Sequence, residues 1–500
     1  MNGRILSACF LLCISMVLCA FAEYAPGGPQ PGDVFKEYYH SCKENGGCNC
    51  GGETIRLGSG YGAVSPLSFQ PTGDVDLTDA TKAEIFIEIT ECHEGTYGLQ
   101  AKINDGAWID PELPVDNFYD MAHFWFPVFP VDLSDVQEGT NTITLQVAGG
   151  GSPTPQMLVV GTHLRVYYDP AAKAHVDAQI TAPSSGGTVG KEYDLVCSAA
   201  GASKVEFLYN GLGVNWEGDG HFTQWHYTYF HGVFERHIGT AESGPDFTVT
   251  WNTEWVPDQT GAQIAARVHS DDGTIYMTEA ADNIQICRPD MSVEIGIPNP
   301  MRGWVTRNSG NVTQNFTLEG DPGNVIGAMV FEKGWGDENS GMSINGTSIG
   351  NIGGGGYNFN FTELEITNTG VFQSGQNSIM MNGGGHHGHE ADYPGMMTVV
   401  QFSASNDCPA VDCRGGKSNA ALEDRNFRIS RAADGMSVYS VSVSSPGAHS
   451  VSIVSPNGRT MATRTGESPS TYHFNELANG VYFARVRSTE GLKTARFVVE

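Results

Sequence analysis

Two stretches of this sequence gather residue types that can do chemistry. The first, Trp216-Glu217-Gly218-Asp219-Gly220-His221-Phe222-Thr223-Gln224-Trp225-His226-Tyr227-Thr228-Tyr229-Phe230-His231, is dense in aromatic rings and imidazoles. Sugars offer C–H faces that lie on flat rings and hydroxyls that bond to polar side chains, so an exposed strip of this kind suits glycan binding. Trp216, Trp225, His226, Tyr227 and Tyr229 are the candidate contacts. Simple alternation offers another reading, with Trp225, Tyr227 and Tyr229 turned into a sandwich core and His226, Thr228 and Phe230 outward. The second stretch is Gly383-Gly384-Gly385-His386-His387-Gly388-His389-Glu390-Ala391-Asp392-Tyr393-Pro394-Gly395. His386, His387, His389, Glu390 and Asp392 could ligate a transition metal or Ca2+, because neutral imidazole nitrogen and carboxylate oxygen are good donors. Against this, no His-Glu-x-x-His helix is present, and a glycine-rich loop loses much entropy on ordering. His387 and Tyr393 could equally touch a glycan, and a solvated turn is the third reading.

Other catalytic signatures are missing. No Gly-x-Ser-x-Gly elbow, phosphate loop or dinucleotide fingerprint occurs in a strand-to-helix setting. A glycosidase needs two facing carboxylates, which a sequence rich in acids does not by itself identify. Acidic residues number 56 against 27 basic, and without the leader and the last 75 residues the balance is 51 against 18, a net charge of −33. That field argues against nucleic acid or an anionic membrane as partner. Eleven cysteines include three in the leader, leaving eight, for which disulfides are the default in a secreted chain. Cys197 with Cys287 and Cys408 with Cys413 are the expected pairs, and Cys42, Cys48, Cys50 and Cys92 would pair among themselves in an open connectivity. Zinc held by Cys42, Cys48, Cys50 and His93 is the alternative.

The elements that must hold these stretches read as strands. Residues 1–22 carry Arg4, an apolar run and Ala20-Phe21-Ala22, a signal peptide cleaved after Ala22. Leu6-Ser7-Ala8-Cys9 matches a lipoprotein box, but too few residues precede it. No later stretch reaches the length of a membrane span. Residues 23–74 form a Cys/Gly-rich N-terminal segment, and 75–170 a first β-sandwich module with strong strands at Ala83 to Ile89 and Met157 to Tyr168. Residues 288–405 repeat it: Ile344-Asn345-Gly346 matches Ile103-Asn104-Asp105-Gly106, and Gly375-Gln376-Asn377-Ser378-Ile379 matches Gly139-Thr140-Asn141-Thr142-Ile143. Between them, 175–287 has the strand spacing of an Ig-like domain. A linker, 406–425, leads to a small C-terminal β-sandwich, 426–500. The expectation is an all-β chain of several β-sandwich domains in tandem, two of them jelly-roll-like modules flanking the Ig-like one.

Three resemblances add to this. Pro456-Asn457-Gly458-Arg459, then Leu477-Ala478-Asn479-Gly480-Val481-Tyr482-Phe483-Ala484-Arg485-Val486 and a basic, apolar terminus, resemble the C-terminal sorting domains of the type IX (Por) secretion system. That implies the secretion machinery as a partner and a secreted or outer-cell-surface location. Trp225-His226-Tyr227, Ile238-Gly239-Thr240, Trp251-Asn252-Thr253 and Ala265-Ala266-Arg267 resemble Ig-like modules of secreted bacterial carbohydrate-active proteins. The His386-His387-Gly388 and Tyr393-Pro394-Gly395 run resembles loops of polysaccharide-related sandwich modules, with His389 in place of an apolar residue. The function expected is non-catalytic binding of polysaccharide or another extracellular surface. A hydrolase or lyase on a β-sandwich is the alternative, and an adhesive or structural spacer the third.

Overall fold

The computed structural model describes residues 27–44, 47–48, 52–91, 93, 95–150, 156–305, 310–336, 339–353, 358–385, 388–406 and 408–409, with 427–431, 439–443, 447–455, 460–467, 470–474, 477, 480–488 and 491–499 nearer the C terminus. Among these residues the chain is all-β, with only short 3-10 turns besides strands. It divides into two compact units, Met1–Cys413 and Arg414–Glu500. No helix among the described residues is long and apolar enough to cross a membrane.

The strand Gln156–Tyr168 organises the N-terminal part of the first unit. It pairs with Val34–Ser41 and Ile55–Gly58 along one edge and with Ala80–Glu91 along the other. All 13 of its residues are buried, which requires cover on both faces. A register shift between Val159 and Gly161 exchanges the faces, so that Met157 and Val159 but also Leu164, Val166 and Tyr168 enter the sandwich core. The opposing layer is Leu67–Phe69, Ile143–Gln146 and Gln100–Ile103. The segment 23–74 therefore does not stand ahead of the first sandwich; it supplies strands to both layers.

In the Ig-like domain, Gln179–Ala182, Glu192–Ser198 and Asp246–Asn252 face a sheet built on Lys204–Leu212 and Gln259–His269, around Leu195, Phe207, Ile264 and Trp251. Val34–Ser41 also pairs with Ile275–Met277, so one continuous 13-stranded sheet runs through the first sandwich and the Ig-like domain. The third sandwich packs a six-stranded sheet containing Val325–Gly336 and Met397–Ser403 on four strands containing Val312–Leu318 and Gly375–Met381. Apolar clusters join the modules: Phe35 and Tyr167 with Trp225 and Ala265; Phe86, Phe124 and Leu158 with Tyr229, Trp335 and Phe359; Val214, Trp216 and Phe222 with Met291, Phe331 and Met397. Each sandwich thus has an apolar outer face, buried against a neighbour rather than left wet.

The duplicated motif has a common physical basis. Asn104 sits at φ 49° and Asn345 at φ 50°, the left-handed conformation asparagine tolerates. Asn104 Nδ2 donates to Asn141 Oδ1 at 2.8 Å while Thr142 N donates to Asn104 Oδ1 at 2.9 Å; Asn345 does the same with Asn377 and Ser378 at 2.8 and 3.0 Å.

The disulfides differ from the expected pairs. Cys287 bonds Cys408, and Cys197 is a buried free thiol in the Ig-like core. Cys197 lies inside a sheet, whereas Cys287 follows the last Ig-like strand and faces the exit of the third sandwich, so the bridge ties the start of that sandwich to its end. Cys42 bonds Cys48, which removes those two thiols from any zinc site. Cys50, Cys92 and Cys413 lie outside the described residues.

In the second unit, Phe427–Arg431, Tyr439–Val443 and Ser470–Phe474 form one sheet. Thr460–Glu467, Ala448–Val454, Gly480–Ser488 and Gly491–Val499 form the other, with Val441, Val451, Ile453 and Val486 in the core. The turns at Pro456–Arg459 and Ala478–Asn479 lie outside the described residues.

Candidate functional site

A cavity of about 360 Å3 opens at the end of the Ig-like sandwich. Tyr209, Trp251 and Asn252 reach it from two facing strands, Trp216 and His226 from the segment between, Arg236 and His237 from the loop after the hairpin, and Trp255 from the next loop. Phe331 of the third sandwich closes one side. Tyr209 lies 5.1 Å from Trp251, and Trp216 meets Phe331 edge-on at 5.7 Å. The Arg236 guanidinium lies over the Trp216 ring at 4.6 Å and pairs with Glu363. Three indoles, a phenol and a phenyl ring thus share one wall system with polar Thr250, Asn252 and Arg236, and among the described residues no carboxylate belongs to it.

The aromatic stretch is placed as follows. Trp216 and His226 line the cavity. His226 is buried with its ring nitrogens 3.0 Å from the Val214 carbonyl and 2.6 Å from that of Gly211, and burial brings it down to about 4, so it is neutral. Trp225 does not line the cavity and packs between the Ig-like domain and the first sandwich. Tyr227 stacks on Phe234 at 4.9 Å, and the Tyr229 hydroxyl donates to Glu37 and accepts from Arg267 at 2.7 Å. Alternation therefore failed on one point. His226 and Thr228 are buried along with Trp225 and Tyr229, because the modules cover both faces of the segment.

Around this segment runs a network of buried charge that no motif announced. Arg165 holds Glu37 at 2.9 and 2.8 Å and also pairs with Glu84; Arg267 holds Glu37 at 2.7 Å. Burial opposes ionisation of Glu37, but Arg267 and then Arg165 outweigh it and keep the carboxyl well below the usual range. Farther along, the loop 214–222 wedges between the flanking sandwiches. Gly220, at φ 81°, has no room for a Cβ, which would come within 2.3 Å of the Tyr393 hydroxyl. Its neighbours Glu217 and Asp219 face Lys333, whose ammonium donates to the Phe124 and Trp216 carbonyls at 3.1 and 3.4 Å. Burial, then the charge of Asp219, pushes the Glu217 carboxyl up to about 8.

The histidine-rich stretch divides: residues 383–385 lie in irregular, largely exposed chain, whereas residues 388–395 are buried. His389 and Glu390 belong to the buried strand His389–Ala391, and His389 Nε2 lies 2.7 Å from Glu332 Oε1. Asp392 is buried beside Lys333, and Tyr393 packs edge-on against Phe118 at 5.4 Å. Among the described residues no three His, Cys, Asp or Glu side chains converge as a metal site would need. His389 and Asp392 both feel Glu332, His389 by a hydrogen bond and Asp392 by charge. His386 and His387 lie outside the described residues.

No family model and no curated protein matches the chain. Among solved structures it is similar to the β-glucuronidase from Ruminococcus gnavus bound to D-glucaro-δ-lactam, at 10% identity over 38% of this chain and 36% of that one, with a TM-score of 0.14. The same enzyme with D-glucuronic acid gives 11%, 38%, 36% and 0.14. The chain spans about a third of those enzymes' length, a likeness too slight to bear on its activity.

Proposed function

We propose that this chain is a secreted binder of polysaccharide that does not cleave the glycan it holds, and that the cavity at the end of the Ig-like domain is where a sugar ring is held. The observation that carries this reading is the convergence of Tyr209, Trp216, Trp251, Trp255 and Phe331 with Thr250, Asn252 and Arg236. Flat apolar faces suit the C–H faces of pyranose rings, and a few polar groups suffice to orient hydroxyls. Cleavage of a glycosidic bond by paired acids has no support in a cavity walled without carboxylates. Export would use the signal peptide at 1–22 and a C-terminal sorting domain at 426–500 recognised by the type IX machinery, with the mature protein released or held at the outer surface.

The test is retention on a panel of insoluble polysaccharides, with released sugar measured in parallel. Trp255 is only partly buried, so Trp255→Ala removes a stacking face with little effect on the core. It should weaken retention about tenfold, the scale of one lost aromatic contact of ~1.5 kcal/mol. Wild-type protein that releases sugar would favour a hydrolase or lyase. Wild-type protein that neither binds nor releases would favour a spacer.

A further inference from the structure

Away from the cavity, three side chains distant in sequence meet at one end of the first sandwich. Ser41 Oγ lies 3.1 Å from His231 Nδ1, and His231 Nε2 lies 2.5 Å from Glu53 Oε2. The backbone N–H of Lys43 donates to Ser41 Oγ at 3.2 Å, which leaves the serine O–H to donate to Nδ1. Glu53 has only acceptors, so Nε2 carries the ring proton and Nδ1 is the free base. We propose that Ser41, His231 and Glu53 form a hydrolytic triad acting on esters of short acyl chains, an activity separate from the glycan cavity.

The scaffold holds each member. Ser41 ends the strand Val34–Ser41 opposite Gly161, and Glu53 stands two residues before Ile55, which pairs with Val159. Both therefore hang from one edge of Gln156–Tyr168, a rung or two apart. The Cys42–Cys48 disulfide fastens the turn after Ser41, and Cys42 Sγ lies 3.2 Å from the Glu53 carbonyl. His231 arrives from the Ig-like domain at the tip of the hairpin formed by Thr228–Phe230 and Val233–Glu235. There His231 is at φ 50° and Gly232 at φ 76°, the pair of left-handed residues a tight hairpin turn requires. Gly232 N donates to Glu88 Oε1 at 2.8 Å, and Glu88 is in turn 2.7 Å from His163 Nε2, so the tip is anchored in buried structure. A Cβ on Gly232 would lie 2.5 Å from the Tyr39 ring. The hydroxyl is thus oriented before any substrate arrives.

The chemistry balances without a cofactor. Ser41 Oγ attacks the acyl carbonyl carbon, its proton passing to His231 Nδ1 while Glu53 supports the imidazolium through Nε2. The tetrahedral intermediate collapses, the ester C–O bond breaks, and the alcohol leaves with the proton from His231. Water, deprotonated by His231, then cleaves the acyl-serine to carboxylic acid and restores the hydroxyl. The Lys43 N–H donates to Oγ and the Lys43 ammonium lies 3.2 Å from Glu53, so both hold triad members in place. Ser41 is 6% exposed, which favours a short acyl group over a bulky one.

The experiment treats the full, disulfide-intact chain with a small fluorophosphonate, maps the adduct by mass spectrometry, and follows hydrolysis of p-nitrophenyl acetate. A stoichiometric adduct on Ser41 is expected. Ser41→Ala should abolish both signals, Glu53→Gln should slow hydrolysis at least tenfold, and His231→Asn, which tolerates the left-handed turn, should slow it at least a hundredfold, the range of a lost general base. A wild-type chain left unlabelled at Ser41, or labelled as fast in His231→Asn, overturns the proposal. Should His231→Asn not fold, hydrolysis undiminished in Ser41→Ala overturns it equally. Retention on polysaccharide is unaffected by either result, so the two readings fail separately.

Discussion

Glu217 shows how far the surroundings of a residue can depart from its sequence. It lies in a stretch that looked solvent-facing, yet burial first and Asp219 second raise its carboxyl to about 8, while burial raises Asp219 and Asp392 and brings the Lys333 ammonium down to about 8. A carboxyl that holds its proton more tightly when folded stabilises the fold fully below its ordinary value of 4.5, and that contribution is lost as pH rises through 8. Histidines buried as neutral rings, such as His226 at about 4, act in the opposite sense, but only below 6.5. Lys333 opposes the trend only above about 8. Between pH 6.5 and 8, therefore, the thermal midpoint should fall with rising pH. Glu217→Gln should flatten that fall in differential scanning fluorimetry; an unchanged slope would locate the effect in Asp219, Asp392 or His389, whose imidazole, despite its burial, is held above its usual 6.5 by Glu332.

At the scale of elements, the strands and turns were readable because each is specified locally, and the loop 214–222 was not. Asn345 and Asn104 could be matched by sequence since the left-handed asparagine is a requirement of its own turn, although its partner, Asn377 or Asn141, lies 32 or 37 residues on. The wedge depends instead on contacts from two other modules. Gly220→Ala meets both the strained φ and the Tyr393 hydroxyl, and should cost about 1–3 kcal/mol as an overpacked site. Gly346→Ala, also at positive φ but with nothing within 4 Å, should cost only about 1 kcal/mol from the backbone. Thermal unfolding of the two variants side by side checks the difference. Equal losses would mean the wedge is not held against Tyr393.

For the whole molecule, the first sandwich and the Ig-like domain share one sheet and one charge network. Arg267 joins Glu37 of the first sandwich to Glu206 of the Ig-like sheet, at 2.7 and 3.5 Å. Arg267→Met leaves two buried carboxylates short of a partner and should cost about 3–5 kcal/mol. Because the network and the sheet cross the boundary, calorimetry should record one transition for these two modules, moved down as a whole in the variant. Separate transitions would show that the shared sheet does not couple them.

By itself the sequence determined the all-β class and the alternating, turn-punctuated strands, which depend on neighbours a few residues apart. Trp216 and His226, candidates from the sequence, line the cavity, whereas Trp251, Trp255 and Arg236 were not candidates, since a Trp in a strand and a Trp in a loop carry the same letter. Only the tertiary structure decided that Cys287 meets Cys408, that Trp225 and Tyr229 are buried, and that Ser41, Glu53 and His231 meet. Those outcomes depend on which faces of separate sandwiches are pressed together, and the apolar and charged groups that make a face sticky are not labelled with the partner they will find.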